Sequence, residues 1–384
     1  MSINPFQIND NHRLNLPTND MPPRILLGAG PSNSHPRVFA AMGAPTVGIL
    51  DPTFIKVMDE VGELLRYTWQ TDNEFTIVTS GTGSSAMEAA FANVVEPGDR
   101  VLIGVAGYFG RRMVDMAGIY GGDVRCLNAV WGEAFTLDEI RQGLETHRPQ
   151  VLALVHAETS TGVRQPLEGI AELCREHDCL LLVDTVTSLG GVPLYADAWG
   201  LDIAYSCSQK CLSAPSGVAP LTFGPRAMDK IRNRRSPVAN WYMNSGLLGK
   251  YWAGSPRVYH HTAPVHLFYA LREGLRLVAE EGLAERWARH QSIAETFWAG
   301  LEEIGLIPHV APEIRLPSLT TVRVPEGVDA ASVTRKLLTE YNIEIGGGLG
   351  DLAGKVWRVG LMGYNARREN VAVLLKALAE VLGR

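Results

Sequence analysis

The chain has 384 residues, 46% of them apolar and 20% charged, the make-up of an ordinary soluble globular protein rather than a disordered one. That length exceeds the size at which a single core keeps growing, so one large and one smaller domain are expected. The 35 basic and 41 acidic side chains leave a net charge of -6, which argues against nucleic acid as a partner. The one basic cluster, Arg226, Lys230, Arg232, Arg234 and Arg235, falls where a helix should end and reads as a solvated face.

Residues 1–23 mix Asn, Asp, Pro and Arg without an apolar run, so neither a signal peptide nor a membrane anchor is expected there. They read as an N-terminal arm that docks on a neighbouring subunit. From Glu74 to Phe223 short aliphatic runs alternate with amphipathic stretches. The strand candidates are Phe75–Val78, Arg100–Gly104, Val124–Leu127, Val151–His156, Cys179–Asp184, Ile203–Ser206 and Ala219–Phe223. Helical spacing occupies Ser85–Val94, Arg111–Tyr120, Leu137–Leu144 and Leu167–His177. Such alternation predicts an α/β fold, a mostly parallel seven-stranded sheet with helices on both faces, in a large domain over 24–282. Past Pro264 come long helices at Val265–Glu281 and Ala284–Ile304. A strand at Leu319–Val324, a helix at Ala330–Tyr341, strands near Ile343–Ile345 and Val356–Val359, and a helix at Arg368–Leu382 complete a small C-terminal α+β domain over 283–384. The five cysteines are scattered, without a C-x-x-C pair, as expected of a reduced cytoplasmic protein with no zinc site.

In open parallel sheets ligands bind at the carboxyl ends of the strands, so the residues just after each strand carry the functional argument. Thr79-Ser80-Gly81-Thr82-Gly83-Ser84-Ser85 opens onto a helix, where backbone N–H groups can converge on a phosphate. No Gly-Lys-Ser/Thr follows, which disfavours ATP or GTP, and there is no dinucleotide G-x-G-x-x-G. Tyr108 and Phe109 stand between Gly107 and Gly110, placing an aromatic ring where a flat ligand could stack. Glu158-Thr159-Ser160-Thr161-Gly162 follows the fourth strand with hydroxyls. Asp184 closes the run Leu180–Val183, and Lys210 follows one short strand later. A lysine amine to condense with an aldehyde and a carboxylate to pair with a pyridinium nitrogen are what pyridoxal 5'-phosphate requires.

The chain resembles the alanine:glyoxylate and serine:pyruvate aminotransferase branch of the class V, fold-type I, pyridoxal-phosphate enzymes. The resemblance is carried by Leu26-Leu27-Gly28-Ala29-Gly30-Pro31-Ser32-Asn33, Ser160-Thr161-Gly162-Val163, Leu182-Val183-Asp184, Ser208-Gln209-Lys210, Tyr259-His260-His261-Thr262, Gly347-Gly348-Leu349-Gly350 and Val356-Trp357-Arg358-Val359-Gly360-Leu361. It implies that Lys210 is the Schiff-base lysine and proton shuttle and that Asp184 pairs with the ring nitrogen. It also implies that Phe109 stacks on the ring, that Thr159 contacts the phenolic oxygen, and that Val186 belongs to the cofactor site. Thr82, Gly83, Ser84 and Gln209 would bind the phosphate, and Arg358, with Gly30 and Thr159, the substrate. The family's homodimers imply that Tyr259 and Thr262 complete the phosphate cup of the neighbouring subunit.

Three departures from the family pattern stand out. Phe109 occupies a position often held by tryptophan, and Gly28-Ala29-Gly30-Pro31 replaces a common Gly-Pro-Gly-Pro. Cys211 directly after the lysine also occurs in pyridoxamine:pyruvate aminotransferases. The expected reaction is transfer of an amino group from alanine, or serine, to glyoxylate. Serine:pyruvate, serine:glyoxylate and pyridoxamine:pyruvate transfer are the alternatives within the family. A cysteine desulfurase would need a reactive cysteine after Cys211, and there is none. A non-catalytic cofactor-binding subunit would be expected to lose Lys210 or Arg358, and both are present. The C-terminus, Glu380-Val381-Leu382-Gly383-Arg384, has no Ser-Lys-Leu-like address, which leaves the cytosol as the expected location.

Overall fold

The computed structural model describes residues 21–384, so the expected N-terminal arm lies outside the described residues apart from 21–23. Its central sheet has seven strands, in spatial order Phe75–Ser80, Val218–Phe223, Ile203–Tyr205, Leu180–Asp184, Val151–Val155, Arg100–Val105 and Asp123–Asn128. Val218–Phe223 runs antiparallel to both neighbours and every other pairing is parallel. Successive side chains of a strand point to opposite faces, so the unbroken burial of Val151–Val155, Leu180–Asp184 and Val218–Phe223 means that both faces are covered. Asp123–Asn128, at one edge, is largely exposed and carries Asp123, Arg125 and Asn128, charge and polarity that blunt edge pairing.

The seven expected strands and the long helices occur within a few residues of where the sequence places them. One shift matters for function. The helix expected from Arg111 begins at Tyr108, so Tyr108 and Phe109 occupy its first turn rather than a loop, with Gly107 as N-cap.

Apolar residues gather into two main cores. The larger surrounds the sheet and contains Trp69, Phe91, Leu181 and Phe223. Helix Val265–Glu281 packs on helix Pro52–Trp69, with Phe54 and Phe268 edge to face at 5.4 Å. The second core is built by Phe297 and Leu301 of helix Leu283–Glu303, Trp357 and Val359 of strand Val356–Gly360, and Leu374 and Leu378 of helix Arg368–Leu382. Residues 25–27 depart from the expected division. Ile25–Leu26 pairs in parallel with Ile343–Glu344, and Leu27 is buried in the second core, so this start of the expected large domain packs with the C-terminal part.

The basic cluster is also more than a solvated face. Arg226 pairs with buried Asp202 at 2.8 Å, Lys230 pairs with buried Asp99 at 2.8 Å, and Arg234 donates to the carbonyls of Asn93 and Val95. These cations satisfy buried acceptors beneath helix Pro225–Arg232, a demand invisible in a one-dimensional charge run.

The second core gives a direct stability prediction. Phe297 is fully buried there, and Phe297→Ala should cost about 3–5 kcal/mol in urea unfolding, as large aromatic deletions do. A loss below about 1 kcal/mol would show that the ring is not packed as described.

Candidate active site

The site forms where the carboxyl ends of the central strands meet helix N-termini. A cavity of about 200 Å³ is lined by Thr82, Gly83, Ser84, Phe109, Arg112, Thr159, Asp184, Val186, Gln209 and Lys210, together with Met87, Val155 and Cys207. The residues expected at Thr82, Gly83, Ser84, Phe109, Thr159, Asp184, Val186, Gln209 and Lys210 are thus brought together. Thr82 is the N-cap of helix Gly83–Val94 but makes no side-chain cap bond, leaving N–H groups of the first turn for an anion. Space at Gly83 is tight, since a Cβ there would lie 3.2 Å from Cys207 Cβ. The buried amide oxygen of Gln209 has no hydrogen-bond partner among the described residues.

Asp184 is 2% exposed, and its two oxygens accept hydrogen bonds from the Val186 N–H and the Tyr205 hydroxyl, both at 2.8 Å. No cation pairs with it among the described residues. Burial pushes its carboxyl up to about 7, against the lowering effect of those two donors. Thr159 Oγ1 lies 2.5 Å from Thr187 Oγ1, which fixes the Thr159 hydroxyl at the cavity wall. Beside it, Glu158 is a buried carboxylate at the N-terminus of the helix carrying Phe109. It accepts from the Ser160 N–H at 3.0 Å, the Ser160 hydroxyl at 2.6 Å and the Gly110 N–H at 3.4 Å. A Cβ at Gly107 would fall 2.4 Å from Glu158 Cγ, so only glycine lets this helix start approach.

Lys210 Nζ donates to the Ala29 carbonyl. Burial lowers the pKa of its amine from the ordinary lysine value, and the charge of Arg358 adds to the lowering. Gly30 adopts φ +104°, and a Cβ there would lie 2.5 Å from Lys210 Nζ, so the Gly30 backbone forms one wall around the amine. Arg358, 9% exposed, sits mid-strand in Val356–Gly360 and is not the surface ion pair that an isolated arginine suggests. Its Nε donates to the Gly347 carbonyl at 2.7 Å and its Nη1 to the Thr159 carbonyl at 3.4 Å. No carboxylate pairs with it among the described residues. A buried guanidinium bonded only to carbonyls is prepared for a carboxylate ligand.

Tyr259 and Thr262 are exposed and do not line this cavity. Sequence reasoning missed Tyr205, Thr187, Glu158 as a helix cap, and Arg112. Tyr205 reads as an ordinary strand residue, and only the pairing of Asp184 with Tyr205 across adjacent strands brings its hydroxyl to the carboxylate. Cys207 lines the cavity, but burial pushes its thiol up to about 12, so it is not a thiolate nucleophile.

The family model for aminotransferase class-V matches residues 35–373. The chain belongs to the class-V aminotransferases. It is similar to the alanine–glyoxylate aminotransferase of Nostoc sp., with 64% identity, a TM-score of 0.97, and coverage of 98% of this chain and 100% of that one. It is 46% identical to the alanine–glyoxylate aminotransferase of Callithrix jacchus over 94% of this chain and 88% of the relative. The ureidoglycine–glyoxylate aminotransferase of Bacillus subtilis shares 40% identity and a TM-score of 0.94, covering 96% of this chain and 95% of that one.

Class-V aminotransferases use pyridoxal 5'-phosphate, and the residues present fit that group. The uncapped helix start suits its phosphate, and the buried carboxylate of Asp184 lacks the cation that a pyridinium nitrogen would supply. The cofactor-free chain should therefore carry a measurable penalty at Asp184. With a folded value near 7 against an ordinary 3.8, the folded state holds the proton more tightly. The carboxyl's contribution to stability is complete below about pH 4 and is lost as pH rises through about 7. Asp184→Asn should stabilise the cofactor-free chain at pH 8 by about 2–4 kcal/mol, with the gap closing by about pH 4. Equal stability of the two proteins at pH 8 would contradict this.

Proposed function

We propose that this class-V aminotransferase transfers the amino group of a small amino acid, alanine or serine, to glyoxylate. The observation that carries the reading is a buried, pKa-lowered Lys210 amine in the same region as a buried Arg358 that pairs with no carboxylate among the described residues. The likeness to the Nostoc sp. alanine–glyoxylate aminotransferase supports the choice of donor and acceptor. When bound, pyridoxal 5'-phosphate supplies the electrophilic carbon and the electron sink that allow an amino group to be exchanged for an oxo group.

The protein's part is to hold, orient and move protons. Arg358 would clamp the donor's α-carboxylate through its planar fork, with Gly30 and Thr159 bounding the substrate. Lys210 Nζ, whose positive charge burial disfavours, would take the proton from the donor's Cα and deliver it on the cofactor side. Asp184 would keep a proton on the ring nitrogen, Thr159 would bond the phenolic oxygen, and Phe109 and Val186 would flank the ring. Thr82, Gly83, Ser84 and Gln209 would seat the phosphate.

We infer a homodimer in which the exposed Tyr259 and Thr262 complete the partner's phosphate cup, a domain division near residue 282 and a cytoplasmic location. Among the described residues no helix is long and apolar enough to cross a membrane. Cys211, which kept pyridoxamine in play as a donor, turns its sulfur toward the Thr187 carbonyl at 3.5 Å and does not line the cavity.

Two measurements check this reading. Lys210→Ala should abolish alanine-to-glyoxylate transfer, a loss of at least about 10⁴-fold given what removal of a positioned base and nucleophile costs; a near-normal rate would sink it. Arg358→Gln should raise the KM for alanine by about 10- to 100-fold, the cost of a charged hydrogen-bonding partner, and should leave pyridoxamine, which has no carboxylate, almost unaffected as a donor. Pyridoxamine outpacing alanine in the wild-type enzyme would overturn the donor assignment.

A further inference from the structure

We propose that Arg112 is a phosphate-binding residue of the cofactor site, supplying the full positive charge that the helix start at Thr82–Ser84 lacks. The proposal rests on the reading that this cavity holds pyridoxal 5'-phosphate. Arg111 and Arg112 look alike in sequence, as two adjacent cations of an amphipathic stretch. The helix register separates them, because adjacent residues point about 100° apart while residues three apart share a face. Arg111 turns outward and pairs with Asp351 at 2.7 Å. Arg112 lies three residues after Phe109, on the ring's side of the helix, and lines the same cavity as Thr82, Gly83 and Ser84.

Its position is fixed from two directions. The guanidinium carbon lies 5.0 Å from the Phe109 ring centroid and 5.4 Å from that of Tyr108. Nη1 donates to Ser84 Oγ at 3.0 Å, on the residue whose backbone N–H belongs to the proposed phosphate seat. Among the described residues this is the only side-chain hydrogen bond Arg112 makes, and no carboxylate pairs with it. A guanidinium has five N–H donors in a rigid fork, so donors remain for a phosphate oxygen beside Ser84.

Magnitudes favour the assignment. A helix N-terminus is equivalent to roughly half an elementary charge, whereas a phosphate monoester carries about -1.5 to -2 at neutral pH. A buried dianion met only by the helix start would be largely uncompensated, and burying unpaired charge is costly. Arg112 reduces that deficit by a full charge. It also ties the phosphate seat on helix Gly83–Val94 to the aromatic plate on helix Tyr108–Ile119, so one side chain sets the spacing between phosphate and ring.

The test compares ligands that differ only in the phosphate. Full-length protein stripped of cofactor is titrated with pyridoxal 5'-phosphate and with pyridoxal, and inorganic phosphate is used as a competitor. Arg112→Met should weaken pyridoxal 5'-phosphate by about 10- to 100-fold, as loss of a charged hydrogen-bond partner does. Pyridoxal affinity should change by less than about threefold, and competition by phosphate should weaken in parallel. Arg112→Gln, which can still bond Ser84 but carries no charge, should lose pyridoxal 5'-phosphate to a similar extent and keeps the test open if the methionine variant folds poorly. Equal losses for both ligands would assign Arg112 to support of the Phe109 ring and overturn the proposal. Unchanged affinity for pyridoxal 5'-phosphate, with the wild type binding it tightly, would overturn it while leaving the functional reading intact. Failure of the wild type to bind pyridoxal 5'-phosphate at all would overturn both.

Discussion

The carboxylate of Asp184 is removed from water and held by two donors, the Val186 N–H and the Tyr205 hydroxyl, yet among the described residues it forms no ion pair. Such a group is expensive unless something positive completes it. The same imbalance recurs around it. Lys210 has an amine whose charge burial disfavours, and Arg358 has a buried guanidinium that bonds only carbonyls. A pyridinium nitrogen, an aldehyde carbon and a substrate carboxylate would resolve these three deficits, and the function follows from that complementarity more than from any single residue.

The fold makes this arrangement possible by bringing the ends of strands and the starts of helices to the cavity. Strand Leu180–Asp184 delivers the carboxylate at its last residue, and the neighbouring strand Ile203–Tyr205 delivers the hydroxyl that holds it. Two helices, Gly83–Val94 and Tyr108–Ile119, begin at the same rim and bring N–H groups and the Phe109 ring. Gly30 and Gly107 let backbone lie against the Lys210 and Glu158 side chains at distances no Cβ could occupy. Arg358 arrives on strand Val356–Gly360 of the three-stranded C-terminal sheet, so its guanidinium is supplied by a different sheet from the one that carries Asp184.

Much of this was legible in the sequence, for physical reasons. Buried parallel strands read as aliphatic runs, and the residue following each run, Asp184 above all, is where such sheets hold ligands. Contacts made across strands or by helix register were not legible. Tyr205 reaches Asp184 only through the pairing of its strand with Leu180–Asp184. Arg112 differs from Arg111 only by a rotation about the helix axis, and the start of that helix lies three residues earlier than periodicity suggested because Glu158 caps it from another loop. Residues 25–27 pack with the second core because Ile25–Leu26 finds a strand partner more than three hundred residues away, a pairing that local pattern cannot reveal. The basic cluster near Arg226 misled for a related reason, since its acceptors, Asp99 and Asp202, are remote in sequence.

The central claim is that the Lys210 amine is the group that meets the cofactor's aldehyde carbon. Borohydride reduction of the protein saturated with pyridoxal 5'-phosphate, followed by peptide mapping, tests this without reference to any substrate. The account predicts one stable pyridoxyl group per chain, on the Nζ of Lys210 within Ser208-Gln209-Lys210-Cys211. A label on another lysine, or none after saturation, would contradict it.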